Sequence, residues 1–299
     1  MLAFIDAGLR DFSVSRSRAL GRGTPVPGDP DQVIHVWWDA LVDYITALGY
    51  GGEASNHRRW WANDGRRVHV IGRDAVRFHA VHWPAVLLSA GERPPTDVLV
   101  HDRLTAGDVV DPADLAARYG SDAVRWWLLR EVPRVGDADF TAARLVARAN
   151  EDLATGLGAL VDRVTTIVHR YRGGRPPVAE PDADAEPLTT ACREAPDLVR
   201  AAVADFDLRR ATAAVWRIVE EANRHVERTR PWELARAERG GDVAAGRRLD
   251  AVIAVLLAAC RVLAVQLTPF LPALAARISG QCVSLSGELP LPQALFPRL

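Results

Sequence analysis

"VHDRLTAGDVVDPADLAARYG", residues 100–120, is the stretch on which the fold turns. A strand-like run, Val98-Leu99-Val100, leads into Leu104-Thr105-Ala106-Gly107, and Asp108-Val109-Val110-Asp111-Pro112 follows at once. "VDPADLAARYG" carries the punctuation of a helix, with Asp111 as N-cap, Pro112 at the first helical position and Gly120 as the stop. A strand, a short connection and a helix in that order are the α/β signature. The connection between Gly107 and Asp108 is either a plain tight loop or one that has lost a chemical element, and that choice bears on catalysis.

Working outward, three segments read as buried parallel strands: "VIHVWW" (33–38), "VHVIG" (68–72) and "DVLVH" (97–101). "RDAVRFHAVHWPAVLLSAG" predicts a helix with Ala75, Phe78, His79 and His82 spaced by three and four, Pro84 inside it and a stop near Gly91. From Thr141 onward the pattern is all-α. Leu153, Leu157, Leu160, Val164, Ile167 and Val168 form one stripe that ends at Gly173-Gly174. A Pro- and Asp-rich connector, "GGRPPVAEPDADAEP", has no periodicity, and helical patterns resume through "DLRRATAAVWRIVEEANRHVERTRPW" and "LDAVIAVLLAACRVLAVQLTPFLPALAARI". The expected fold is an α/β partial Rossmann-type parallel sheet followed by an all-α helix bundle. The expected boundaries are 1–108, a joining region 109–140, and 141–299.

The totals narrow the functional classes. At 299 residues and 48 % apolar, the chain has room for two cores. A net charge of −1 gives no overall basic field, so DNA is not an expected partner and any grip on RNA needs a local patch. All 37 basic residues are Arg, a bias that is neutral on a helix surface but not at a catalytic phosphate. Cys192, Cys260 and Cys282 fit no zinc spacing, so no metal site is expected. No signal peptide is legible at the N-terminus, and the apolar run Ala251 to Val265 is shorter than the ~20 residues of a membrane span. The expected location is the cytoplasm, with no membrane partner.

Two stretches carry chemistry. In "GRDAVRFHAVHW" (72–83), Gly72 at a strand end lets a ligand approach the backbone, and Asp74 can accept from a ribose. Alone, Gly-x-Asp at a strand end is more often a helix cap. In "VWWDALVDYI" (36–45), Trp37, Ala40 and Tyr44 recur at three and four, which describes either a core face or an aromatic binding surface.

Taken in order, "GRGTPVPGDPDQVIHVWWDALVDYITALGY", "VIGRDAVRFHAVHWPAVLLSAG", "VVDPADLAARYGSDAVRWWLLREVP", "DADFTAARLVARANEDLATGLGALVDR", "ANRHVERTRPWELA" and the closing "LTPFLPALAARI…LFPRL" resemble the methionyl-tRNA synthetases over essentially the whole chain. The resemblance implies a class I aminoacyl-tRNA ligase with a Rossmann-type catalytic domain, a stem-contact region and an anticodon-binding bundle. It implies use of ATP with Mg²⁺ and, as partners, methionine or a related amino acid and tRNA. Trp37, Ala40, Tyr44, Ala75, His79 and Trp83 match the methionine side-chain pocket. Leu41 stands where the family usually has Pro, which suggests a reshaped pocket. Gly72 and Asp74 match ribose-binding positions, and Leu104 matches an aliphatic residue that packs on adenine. Pro231 and Trp232 match a pair that stacks on the anticodon. Arg163 matches an anticodon Arg, with Ala159 replacing the usual Asn one turn earlier. A helix-end core tryptophan is the competing reading of Trp232.

In this family a mobile Lys-Met-Ser-Lys-Ser loop lies between the equivalents of Thr105 and Val109, and its lysines stabilise the triphosphate as methionine attacks. Here only Ala-Gly and Asp stand between those residues, and the chain has no Lys. "AFIDAGLRDFSVSR" matches the exit from the family's inserted domain, so the His-Ile-Gly-His half precedes the matched region. Loss of one preorganised stabiliser costs roughly 10²–10³ in rate. The expectation is therefore a chain impaired in activation on its own, with no residue nameable as catalytic. A non-catalytic paralogue and one half of a split enzyme, completed by a separate N-terminal polypeptide, are the alternatives. His69, His79, His82 and His101 fit no such phosphate-binding signature.

Overall fold

The computed structural model describes the chain apart from residues 21–22, 53–54, 64, 107–109 and 285–286. The connection at Gly107 and Asp108 therefore lies outside the described residues. The chain divides into two compact units, Met1–Arg103 and Leu104–Leu299.

In the first unit, α1 (Leu2–Asp6) precedes a three-stranded antiparallel sheet of β1 (Ser15–Ser17), β2 (Pro25–Val26) and β3 (Asp29–Ile34), ordered β1-β3-β2. Helix α2 (Val36–Thr46) and the short α3 (Ser55–His57) follow. Strands β4 (Val68–Gly72) and β5 (Asp97–His101) then pair in parallel from Val68↔Asp97 to Gly72↔His101. The segments expected at 68–72 and 97–101 are both there. "VIHVWW" is not the third parallel strand: only Val33 and Ile34 belong to a strand, antiparallel β3, and helix α2 begins at Val36. The cause is local. His35 is extended and its ring accepts from Trp37 N at 3.4 Å, which caps a helix that the 3–4 spacing of the following residues continues.

Between β4 and β5 the helical segment is irregular. A tight turn over Arg73–Ala75 and a wide π turn over Phe78–His82 precede α4 (Trp83–Ser89). Pro84 lacks the N–H that a regular helix would send back one turn, and the wide turn sits where that bond would fall. Gly91, at φ +75, ends the segment.

The second unit opens with β6 (Leu104–Ala106), which pairs in parallel with β7 (Ala138–Phe140). Between them lie α5 (Pro112–Tyr119) and α6 (Ser121–Glu131). Asp111 caps α5 by accepting from Ala113 N at 2.7 Å, and Gly120, at φ +84, makes the corner to α6. The bundle comprises α7 (Ala142–Arg148), a π-helical stretch Ala149–Gly158, α8 (Ala159–Arg172), α9 (Glu186–Ala204), α10 (Leu208–Thr229), α11 (Pro231–Arg239), α12 (Val243–Leu267) and α13 (Pro272–Cys282). The stripe Leu153, Leu157, Leu160, Val164, Ile167 and Val168 is buried throughout, and α8 ends on left-handed Gly173. Helix α12 is longer than its apolar run, long and apolar enough by composition to cross a membrane, yet most of its apolar window is buried inside the bundle. Helix α13 has no cap of its own. Asp122, on α6, accepts from Leu274 N at 2.6 Å and supplies one from across the chain.

Candidate functional site

Helix α2 has two faces with different fates. Trp38, Leu41 and Ile45 are buried with Trp61, Trp83 and Leu87 in the core of the first unit. Trp37, Ala40 and Tyr44, one residue out of phase, are exposed on the adjoining face, about 100° round the helix. The core-face reading of those three is thus overturned. Leu41, at 1 % exposure, packs in the core behind this surface rather than on it.

Tyr44 stands beside β4. Its hydroxyl lies 3.0 Å from Nε2 of His79, and Nδ1 of His79 lies 2.9 Å from the carbonyl of Ala75. A carbonyl can only accept, so Nδ1 carries the proton and Nε2 accepts from the Tyr44 hydroxyl. Trp83 is fully buried, 6.3 Å from the Tyr44 ring centroid, and Trp37 stacks on Phe78 at 4.7 Å. Five of the six expected pocket residues are thus linked or close: Tyr44, His79 and Ala75 in one hydrogen-bonded chain, Trp83 beside them, and Trp37 over the wide turn.

Three further residues belong to this nest and were missed. His69 sits edge-on to Tyr44 at 4.2 Å, Trp61 lies 6.0 Å from His69, and Phe78 carries Trp37. The signal for His69 was the two-residue alternation of "VHVIG", which puts His69 and Ile71 inward and Val68, Val70 and Gly72 outward. Burial, and secondarily the neighbouring His79 imidazole, which disfavours a second positive charge beside it, hold the His69 imidazole down to about 4, so it is neutral at pH 7.

Gly72 and Asp74 follow at the carboxyl end of β4, and both are exposed. A side chain at Gly72 would meet nothing within 4 Å, and its φ of −80 is ordinary, so neither crowding nor backbone strain demands glycine there. Asp74 is no helix cap: its carboxylate accepts from Arg103 Nη2 at 3.0 and 3.3 Å. Leu104 belongs to the second unit, exposed at the start of β6.

In the second unit, Arg230 turns the chain between α10 and α11 in the left-handed region, at φ +46, immediately before Pro231. That conformation is disfavoured twice over, by the side chain and by the following proline. It leaves Pro231 buried and Trp232 44 % exposed, so Trp232 is not a core tryptophan. Arg163 is exposed on α8, and among the described residues neither an ion pair nor a ring contact joins it to Trp232. Among the described residues no group of three or more His, Cys, Asp or Glu could hold a metal ion.

A family model described as class I tRNA synthetases (M) matches residues 1–165. The methionine–tRNA ligase of Caldanaerobacter subterraneus subsp. tengcongensis is 38 % identical over 91 % of this chain and 43 % of its own length. That of Mesorhizobium japonicum is 35 % identical over 100 % of this chain and 61 % of its own. The Mycobacterium tuberculosis methionyl-tRNA synthetase bound by methionyl-adenylate superposes with a TM-score of 0.91 at 32 % identity, covering 99 % of this chain and 62 % of that one. The same enzyme in its free state gives 0.90. The chain spans about half the length of the relatives it matches.

Proposed function

The chain belongs to the methionyl-tRNA synthetase family of class I ligases, and we propose that it keeps that family's amino-acid, nucleotide and tRNA-facing surfaces while lacking the cations that activate methionine at an enzymatic rate. The observation that carries this reading is the Tyr44–His79–Ala75 chain inside an aromatic nest packed on His69 of a parallel strand, with Ala75 three residues past that strand's carboxyl end. Ligands of open α/β sheets bind beyond the carboxyl ends of the strands.

In this reading Trp37, Ala40, Tyr44, Ala75, His79 and Trp83 hold the amino-acid side chain. Because the proton of the Tyr44 hydroxyl is committed to His79, the oxygen turns its lone pairs outward. Gly72 admits the nucleotide backbone-close, and Asp74 takes ribose hydroxyls. Exposed Trp232, fixed on buried Pro231, offers a stacking face to an anticodon base, worth about 1–3 kcal/mol, with Arg163 as a phosphate or base contact. Residues 1–108, 109–140 and 141–299 then divide as catalytic-type, stem-contact and anticodon-binding parts of a cytoplasmic protein. Mg²⁺ would arrive on the phosphates of ATP, since the described residues offer no cluster to hold it.

Impairment is supported by the absence of Lys and by the three residues between Thr105 and Val109. The alignment with the Mesorhizobium ligase runs over 326 positions against 299 residues here, so that relative carries segments this chain lacks. A second reading, one chain of a two-chain enzyme, is favoured by Val68 and Val70, exposed at 37 and 61 % on the outer face of a two-stranded sheet. The test is methionine-dependent ATP–pyrophosphate exchange, with methionine binding by calorimetry on the same sample. The expected result is binding without exchange. Exchange at an enzymatic rate overturns the impairment; no binding overturns the pocket. Exchange restored by a co-expressed polypeptide carrying His-Ile-Gly-His selects the second reading.

A further inference from the structure

The parallel register of β4 and β5 sets Gly72 opposite His101, and so brings Arg73-Asp74 beside Asp102-Arg103. The two dipeptides have opposite charge order, and they pair reciprocally. Arg73 Nη1 lies 3.2 Å from Asp102 Oδ1, and Arg103 Nη2 lies 3.0 Å from Asp74 Oδ1. All four sit at the carboxyl ends of the strands, where a nucleotide would enter.

The second pair is open to water, with Arg103 and Asp74 side chains 58 and 77 % exposed. Exposed pairs contribute little, and a competing anion displaces them readily. A phosphate, by contrast, matches the planar fork of a guanidinium and forms charge-assisted hydrogen bonds with it. In a nucleoside 5′-phosphate the anion and the ribose hydroxyls are carried on one sugar ring. A guanidinium already in contact with Asp74 can pass from the carboxylate to the phosphate by a side-chain rotation.

Resting on the reading of Gly72 and Asp74 as the ribose site, we propose that Arg103 is the phosphate-binding residue of that site, held on Asp74 in the free chain and transferred to a nucleoside 5′-phosphate when the ribose takes the carboxylate. Arg103 thereby supplies a cation in a chain that has no lysine to offer. It does so beside the α-phosphate position, with no role assigned toward the departing pyrophosphate.

The experiment compares AMP with adenosine by calorimetry on the full chain and on Arg103→Gln and Arg103→Lys. A charge-assisted contact corresponds to a preference for AMP of roughly 10- to 100-fold in the unsubstituted chain. In Arg103→Gln that preference falls to near unity while adenosine affinity holds or rises slightly, and Arg103→Lys restores part of it. Arg103 is exposed, so its replacement leaves the fold in place, and superposable thermal melts check this. An unchanged AMP preference in Arg103→Gln overturns the inference and leaves the ribose site standing. So does an equal tightening of both ligands, which would make Arg103 only a cover over Asp74. Failure of the unsubstituted chain to bind either ligand overturns the ribose site and the inference with it.

Discussion

The two units spend their apolar residues differently. In the bundle, Leu160, Leu249, Leu263, Leu274 and Ile278 are each fully buried, and the helices are capped by Asp207, Asp242 and, for α13, the distant Asp122. In the first unit the continuous core is six residues, three of them tryptophan, while Trp37, Tyr44, Val70 and Leu88 are 40 to 65 % exposed. A core that small is hard to stabilise alone. The bundle closes its apolar side chains on themselves, whereas the first unit leaves Trp37 and Tyr44 partly exposed even after their contacts with Phe78, His69 and His79.

The largest test of this contrast is Leu263→Ala on α12. Its side chain is fully buried, so the change removes transfer energy and leaves a cavity, at a cost of about 2–5 kcal/mol. Hydrogen exchange should show the loss in α12 and its neighbours, with the amides of β4 unaffected. A global loss that includes β4 would mean that the two units unfold as one.

The second test is acid. His69 is held down to about 4 against an ordinary 6.5, by burial first and then by His79. The unfolded chain therefore binds more protons between those values, so stability is flat above pH 6.5 and falls as pH drops toward 4, by roughly 3 kcal/mol. In the bundle His225 is also lowered, chiefly by burial, but buried Asp152 is raised and works in the opposite direction. The first unit should lose protection before the bundle between pH 7 and pH 4.5. Equal loss in both breaks the contrast.

Much of this was legible in the sequence where a local rule dominates. The cap at Asp111, the stop at Gly173 and the stripe from Leu153 to Val168 follow from turn chemistry and helical period, and all three are in the structure. "VIHVWW" misled because an apolar run reads alike as strand or helix, and the deciding feature was one capping side chain, His35. The partners of the nest were legible on α2 by period, but His69 and Trp61 reach it only through packing. Asp122 reaches the start of α13 from more than a hundred residues away, and no pattern in the sequence signals such a contact.

A smaller effect is expected for Tyr44→Phe. It takes the donor from Nε2 of His79, an imidazole otherwise buried, and the partial exposure of Tyr44 lets water replace part of the loss, so about 1 kcal/mol is expected in chemical denaturation. Methionine affinity should fall by more than that stability loss implies if the hydroxyl faces the ligand; equal changes would make Tyr44 a purely structural residue.

The smallest effect sharpens the comparison most. Val70→Thr keeps the β-branched shape that a strand prefers and changes only what the outer face of β4 offers to its surroundings. With Val70 61 % exposed, the unfolding free energy should move by less than about 0.5 kcal/mol, and gel-filtration behaviour should not change. The same substitution on the inward face, at Ile71, puts a hydroxyl among buried side chains and should cost several times more. A loss above about 1 kcal/mol at Val70 would mean that this face is covered in solution, with the apolar surface of the first unit already spent on a partner strand or a second copy. The contrast between the units would then be one between a core closed within the chain and a core closed by association.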